Sequence, residues 1–497
     1  MKFRQIVFLL VFVIFRQLSY SQSTATKIAS IGDRTTYGSK IKKQQESSAM
    51  ELFKRDFSQV IRTLDGRLIE RYTYGPRDSW GYPADDSSLW TYWDGWNGKS
   101  PIDSVIWKRR GPVNLKEDKQ NLNSFYLVPP KQQRSGAPLY VVLHSANWTA
   151  FQYMARQHLI EGWETIATRV PEDFYALYLN STNKEWWGWG DRQKGLPAPA
   201  EKRAFDIIEW IVKKYDIDQN RIYLSGISMG GCGTLALGMP HGDTFAAIRA
   251  TVPAGTEYVA ARMGGFPPEP PREASQESHD TWTKLISGFG LPDPPVIVDF
   301  SAQNDNWSKT QPALLYAAQA GRLPLVLSWG PFGHTSIDLP ISRFPQCSIA
   351  LAYPWLEIRK NEAYPVFTHA SCNQQSPWLG DTINFDESGQ INAYFRWKSQ
   401  IDTPTKFVIQ LWLAHPEMDN PPPTMPEVAT TNITFRRLQH FKFGNGINYT
   451  WKLKRNGKVV GSGKITPDAA NLLTICKLTL TTIPAEIVVV PVKRSHP

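Results

Sequence analysis

The chain has 497 residues, 41% hydrophobic and 20% charged, with 55 Lys plus Arg against 45 Asp plus Glu. That length allows two or three domains with sizeable cores, and that composition excludes a disordered chain or a polytopic membrane protein. Four cysteines without a C-x-x-C pair exclude a disulfide scaffold and a zinc signature, and no metal or other cofactor is expected.

In chain order, residues 1–17 place Lys2 and Arg4 before the apolar run 6–15, and Ser19 and Ser21 supply small residues for cleavage. The segment 1–22 therefore reads as a secretory signal peptide, its apolar run too short to span a bilayer. No cysteine stands at the cleavage point, so no lipid or membrane anchor is expected, and the location is secreted or periplasmic. Lys2, Arg4 and Arg16 leave with the peptide and no acid does, which lowers the formal charge from +10 to +7. That mild excess permits an acidic polymer as partner, and the lack of a concentrated basic run argues against nucleic acid.

Residues 23–115 alternate polar stretches with aromatic, Gly- and Pro-rich ones, including Trp90, Trp93 and Trp96. They predict short strands and long loops. From 116 to 361, short apolar runs alternate with helical segments, the pattern of an α/β sheet. Strands are predicted at 124–128, 139–144, 174–180, 221–226, 245–252, 296–301 and 323–329. Helices are predicted at 199–215, with Phe205, Ile208, Trp210, Ile211 and Val212 facing inward, and at 311–320. The Pro-rich stretch 264–272 reads as a surface insertion. Beyond 362 the helical period vanishes, and 392–397, 406–413, 449–455, 458–464 and 486–490 read as antiparallel strands, with Asn456-Gly457 as a hairpin turn. A C-terminal β-sandwich over 362–497 is expected.

The sharpest motif is Gly226-Ile-Ser228-Met-Gly230-Gly231, which follows an apolar strand and opens a helix. In this nucleophile elbow the turn strains the serine backbone, and small neighbours let strand and helix approach closely. The helix dipole at that end favours developing negative charge. A serine hydroxyl needs a base, and the chain order at such an elbow is Ser, acid, His. His144 and His158 come too early, and His241 lies at the far end of the elbow helix. His279 precedes any later strand, and His369, His415, His440 and His496 fall in the β region. His334 remains, in a Gly/Pro-rich loop after the last α/β strand. Two carboxylates follow the elbow near the strand 296–301. Asp299 lies inside it, whereas Asp305 lies in the loop beyond and can hold a histidine ring in one tautomer; Asp338 is the reserve. The oxyanion hole is expected from the Met229 amide and an amide of Ser145 or Ala146, with His144 as a structural or pocket-wall residue.

Residues 116–361 thereby resemble the secreted α/β-hydrolase esterases related to feruloyl esterases, acetyl xylan esterases and polyhydroxybutyrate depolymerases. The resemblance rests on Gly226–Gly231, on His144-Ser145-Ala146, on Asp305 in S-A-Q-N-D and on His334 in G-P-F-G-H. It departs from the common H-G loop in carrying Ser145 after His144. It implies Ser-His-Asp acyl transfer without metal or cofactor, within an α/β-hydrolase fold of mostly parallel, doubly wound sheet.

The chain is also rich in tryptophan, with 19. Trp186, Trp187 and Trp189 follow the strand 174–180 on the edge where such sheets build their sites. They either stack on a ligand or pack the helix 199–215. Trp148, Gln303 and Trp307 are further candidates for the pocket wall. Cys232 reads as a buried helix residue. Cys347 and Cys372 are candidates to pair in an oxidising compartment, which would leave Cys476 free. The expected function is a secreted serine esterase acting on a carbohydrate or other ester, with ester groups of a polysaccharide or a plant or algal cell wall first. The alternatives are a prolyl-oligopeptidase-like serine peptidase, for which 23–115 is too short to form the usual propeller, and a non-catalytic carbohydrate-binding protein.

Overall fold

A computed structural model describes residues 53–74, 124–159, 169–181, 199–260, 276–287, 293–334, 349, 352–377, 388–414 and 425–492, except the single positions 147, 254, 257, 258, 332 and 445. The segment 1–22, the tryptophans at 90, 93, 96, 186, 187 and 189, the stretch 264–272, Asp338, Cys347, Trp378 and His415 lie outside these residues. Contacts divide the chain after Lys54, and everything below concerns the unit Arg55–Pro497.

Buried apolar strands need covered faces, and this chain satisfies them with a sheet of ten strands, from β1 (Phe53–Arg62) at one edge to β11 (Gly389–Ile391) at the other, in the order β1-β2-β3-β5-β4-β6-β7-β8-β9-β11. The central members are β3 (Ser124–Val128), β4 (Leu139–Leu143), β5 (Tyr175–Leu179), β6 (Ile222–Ile227), β7 (Ala247–Thr251), β8 (Val296–Ala302) and β9 (Leu325–Gly330). All of them are buried along their whole length. Strands β5, β4, β6, β7, β8 and β9 run parallel, while β3 is antiparallel to β5 and β2 (Leu68–Tyr74) is antiparallel to β3. The helices are α1 (Ala150–His158), α2 (Pro199–Lys214), α3 (Met229–Gly238), α4 (Gln276–Ser287) and α5 (Gln311–Gly321).

The predicted strands of the α/β half fall where expected, with ends shifted by at most two residues, whereas the strand predicted at 392–397 in the β region runs from 395 to 403. Helix α2 differs in its buried stripe. Ala204, Ile207, Ile208 and Ile211 are buried, whereas Phe205, Trp210 and Val212 are half-buried. The half-buried rings cover the flanks: Trp210 meets Tyr72 edge-on at 4.9 Å, and Phe205 packs on His241 at 4.2 Å.

Two antiparallel sheets follow. One is β10-β14-β17, from β10 (Tyr364–Thr368), β14 (Val428–Arg436) and β17 (Thr474–Thr481). The other is β12-β13-β18-β15-β16, from β12 (Phe395–Thr403), β13 (Lys406–Leu413), β15 (Tyr449–Arg455), β16 (Lys458–Ile465) and β18 (Ala485–Pro491). Asn456 and Gly457 both have positive φ (49° and 75°), the requirement of a type I′ hairpin, and they join β15 to β16. Phe367 stacks on Phe395 at 4.2 Å and Phe407 meets Phe435 at 5.2 Å, which closes the core between the two sheets. Sequence patterning did not reveal β10, β14 or β17.

The β region is fastened to the α/β half. Strand β11 (Gly389–Ile391) pairs with β9 and so extends the ten-stranded sheet. Arg436, 1% exposed, donates to Asp293 at 2.9 Å and to the carbonyls of Gly321 and Arg322. Cys372 is a free thiol whose pKa burial raises to about 11, so the expected pairing with Cys347 is not made. Cys232 is buried in α3 and Cys476 is free, as the sequence indicated.

Candidate functional site

The parallel registers bring every expected catalytic loop to one edge. Leu143 lies opposite Gly226 at the ends of β4 and β6, and Ala302 lies opposite Gly330 at the ends of β8 and β9. The loops carrying residues 144–146, 228, 305 and 334 therefore leave the sheet together at its carboxyl edge, where open α/β sheets hold ligands.

Ser228 caps α3 with φ 58° and ψ −117°, a strained backbone for a residue with a side chain. Its neighbours must be glycine. A Cβ on Gly226 would stand 2.3 Å from the Gly230 carbonyl oxygen, and one on Gly230 would stand 2.2 Å from that of Leu143. Strand and helix thus approach to a distance only hydrogen permits, and the close approach forces Ser228 out over the edge. Two backbone bonds hold the bend: Ser228 N–H donates to Thr251 at 3.0 Å, and Cys232 N–H donates to Ser228 at 2.9 Å.

Ser228 Oγ lies 2.7 Å from His334 Nε2, and His334 Nδ1 lies 2.5 Å from Asp305 Oδ2. The Asp305 side chain is 2% exposed and the His334 side chain 27%. Oδ1 of Asp305 accepts the Trp307 N–H at 3.0 Å and caps the short 3₁₀ turn Asn306–Thr310, so both carboxylate oxygens are engaged. Asp299, the other carboxylate considered, points elsewhere. It is fully buried, accepts from Ser301 Oγ at 2.7 Å and from Gln311 Nε2, and burial pushes its pKa up to about 7.

The loop after β4 is held by a histidine. His144 is 2% exposed; its Nε2 accepts the Ser181 N–H at 3.0 Å, so Nδ1 carries the proton and donates to the Ser145 carbonyl at 2.8 Å. The Trp148 N–H donates to the same carbonyl. In a trans peptide the next N–H points the opposite way, which turns the Ala146 amide away from the His144 ring. Asn180 helps by accepting the Ala150 N–H at 2.7 Å and donating to Ser124. The polar pair Asn180-Ser181 at the end of an apolar strand was the readable signal for this tie, and Thr149-x-x-Gln152 was the signal for the capping box that starts α1.

The expected pocket wall changes. Gln303 is 2% exposed, with its N–H on the Gly330 carbonyl, so it joins the ends of β8 and β9 and does not face solvent. Trp148 is half-buried, meets Tyr153 edge-on, and carries the Arg156 guanidinium 4.6 Å over its ring, so that face is already occupied. Trp307 is half-buried beside Asp305 and serves it through its backbone N–H. Trp186, Trp187 and Trp189 lie outside the described residues. Met229 is buried at the first turn of α3, and Ser145 and Ala146 are half-buried in the loop after β4.

Counted from β2, the eight strands follow the order 1-2-4-3-5-6-7-8 with the second antiparallel. Serine follows the fifth, acid the seventh and histidine the last. This is the α/β-hydrolase fold. No family model matches the chain. The poly(3-hydroxyalkanoate) depolymerase C of Paucimonas lemoignei is 31% identical over 134 residues, which cover 25% of this chain and 30% of that protein. The chain thus spans about three tenths of this curated relative's length. Among solved structures, a fluorophosphonate-binding serine hydrolase of Staphylococcus aureus is 14% identical, covering 42% of this chain and 85% of its own, with a TM-score of 0.32. A ferulic acid esterase is 17% identical, covering 43% and 87%, with a TM-score of 0.28. Esterase B from Lactobacillus rhamnosis is 12% identical, covering 52% and 91%, with a TM-score of 0.32.

Proposed function

We propose that the chain is a secreted serine esterase that transfers acyl groups through Ser228, His334 and Asp305, with ester groups on a polysaccharide as its substrate class. The observation that carries the reading is the unbroken relay from Ser228 Oγ through His334 to Asp305 at a strained elbow. His334 Nε2 takes the hydroxyl proton as Oγ attacks the acyl carbon, and the same nitrogen then returns it to the leaving alcohol. Asp305 keeps Nδ1 protonated and stabilises the imidazolium that forms. The tetrahedral oxyanion is met by the amide of Met229, at the positive end of α3, and by the amide of Ala146 or Ser145 on the loop held by His144. Water then attacks the acyl-enzyme by the same proton route in reverse.

A second reading is favoured by the 31% identical stretch: the ester of a poly(3-hydroxyalkanoate), as the name of that relative states. Purified protein and its Ser228→Ala variant should be assayed on p-nitrophenyl acetate, methyl ferulate, acetylated xylan, poly(3-hydroxybutyrate) and a peptide anilide. The polysaccharide reading expects release of acetate or ferulate and fluorophosphonate labelling of the parent alone. Turnover of the polyester with none of the carbohydrate esters moves the substrate class to the second reading. Turnover of the anilide alone overturns both in favour of a peptidase, and no labelling or turnover points to a binding protein.

A further inference from the structure

The two faces of the five-stranded sheet differ in character, one apolar and the other rich in lysine. Phe395, Leu411, Ile487 and Leu453 turn inward. In an antiparallel pair, directly opposed residues share a face, so the registers identify what the other face carries. Lys398 opposes Gln410, which opposes Glu486, which opposes Lys454. In the next row Val408 opposes Val488, which opposes Lys452. Lys406 shares this face by alternation along β13, and Lys464 joins it opposite Thr450.

Five lysines from four strands therefore share one face with a single carboxylate, Glu486, among the described residues. Lys398, Lys406, Lys452 and Lys464 are exposed and Lys454 is half-buried. None of the five is ion-paired among the described residues, in contrast to the exposed Lys131, Lys202 and Lys213, each of which meets a carboxylate. Lys398 and Lys454 lie three strand spacings apart, a span of about 15 Å. Trp412 stands on the same face, half-buried at its margin, opposite Arg396. The Arg396 guanidinium is turned back onto the carbonyls of Ala393 and Phe395 and over Tyr353, so it is not offered outward.

We propose that this face binds an acidic polysaccharide, whose carboxylates meet the lysine rows and whose sugar rings lie on the sheet and on Trp412. Charge complementarity selects the occupant. Lysine ammonium groups are hydrated point charges that suit carboxylates spaced along a chain, and among the described residues the face offers no planar arginine fork for bidentate phosphate recognition. Its central apolar residues are not exposed, Val408 being buried and Val488 half-buried, and the exposed Val459 stands opposite Lys454 on the edge strand β16. The surface deepens the polysaccharide reading above, and its test uses binding without turnover, so the two fail separately.

The test uses the full chain carrying Ser228→Ala, with polygalacturonate as the probe and neutral galactan, double-stranded DNA and phosphatidylserine vesicles in parallel. Polygalacturonate should be retained in affinity electrophoresis, galactan should not, and retention should fall as salt rises. Adding Lys452→Ser, Lys454→Ser and Lys464→Ser should weaken retention at least about tenfold, since each phosphate-like or carboxylate contact carries its own salt-sensitive share. A control with Lys131→Ser, Lys202→Ser and Lys213→Ser removes the same charge elsewhere and should bind like the parent. Thermal melting verifies folding, and Lys398→Ser with Lys406→Ser, on other strands of the face, serves as a second variant that should also weaken binding. The proposal is overturned if polygalacturonate is not retained or if the control weakens as much as the face variant. Binding of DNA or vesicles as tight as that of polygalacturonate, or face variants that melt and bind like the parent, overturns it equally.

Discussion

Replacing Asp305 by asparagine separates the charge of the acid from its shape. The side chain is 2% exposed, its Oδ1 accepts the Trp307 N–H at 3.0 Å, and its Oδ2 faces His334 Nδ1 at 2.5 Å. Asparagine can keep the Trp307 bond through its own carbonyl oxygen. Its NH₂ group then points at Nδ1, donor against donor, unless the imidazole moves its proton to Nε2. That tautomer aims an N–H at Ser228 Oγ and leaves no lone pair to take the serine proton. An acid-to-amide change in this kind of triad lowers kcat by about 10⁴, close to 5.5 kcal/mol of barrier. KM should move little, because the substrate-facing surface is unchanged. The assay is kcat and KM on p-nitrophenyl acetate beside fluorophosphonate labelling, with a thermal melt to verify folding. A well-folded Asp305→Asn protein that retains kcat within tenfold of the parent would refute the assignment of Asp305 to His334.

Three further outcomes follow from the same geometry. Gly230→Ala places a Cβ 2.2 Å from the Leu143 carbonyl oxygen, so β4 and α3 must part; it should cost about 1–3 kcal/mol in a denaturant melt and most of the activity. His144→Phe leaves the buried Ser181 N–H without its acceptor and releases the Ser145 carbonyl. It should lower kcat by about tenfold to a hundredfold with KM nearly constant, short of losing a whole oxyanion donor, and an equal rise in KM would count against a positioning role. Burial holds the Asp299 pKa in the folded protein near 7, above its unfolded value, so its stabilising contribution is present in acid and is lost as pH rises through about 7. The Asp299→Asn melt should therefore fall less between pH 5 and 9 than that of the parent, and parallel curves would show that Asp299 does not titrate there.

Local chemistry made much of the α/β half legible. Strands such as β4 (Leu139–Leu143) are continuous apolar runs because both faces of a parallel sheet are covered, and G-x-S-x-G is confined to glycine by contacts closer than any Cβ allows. Chain order together with position relative to the strands singled out Ser228, Asp305 and His334 as candidates. Strands β14 and β17 escaped because sequences such as Val428–Arg436 mix threonine and asparagine with few apolar residues, and only cross-strand partners make such a segment a strand.

The sequence by itself determined the elbow and the Asn456-Gly457 hairpin, because each depends on backbone constraints spanning a few neighbouring residues. Tertiary structure added the contacts themselves: Asp305, favoured in the sequence because it lies beyond the end of β8, meets His334, while Asp299 inside β8 turns to Ser301 and Gln311. It likewise decided that Gln303 is buried, that one face of Trp148 is occupied by Arg156, and that five lysines distant along the chain share one sheet face. Direction and register belong to the assembled sheet, and no local run of residues encodes them.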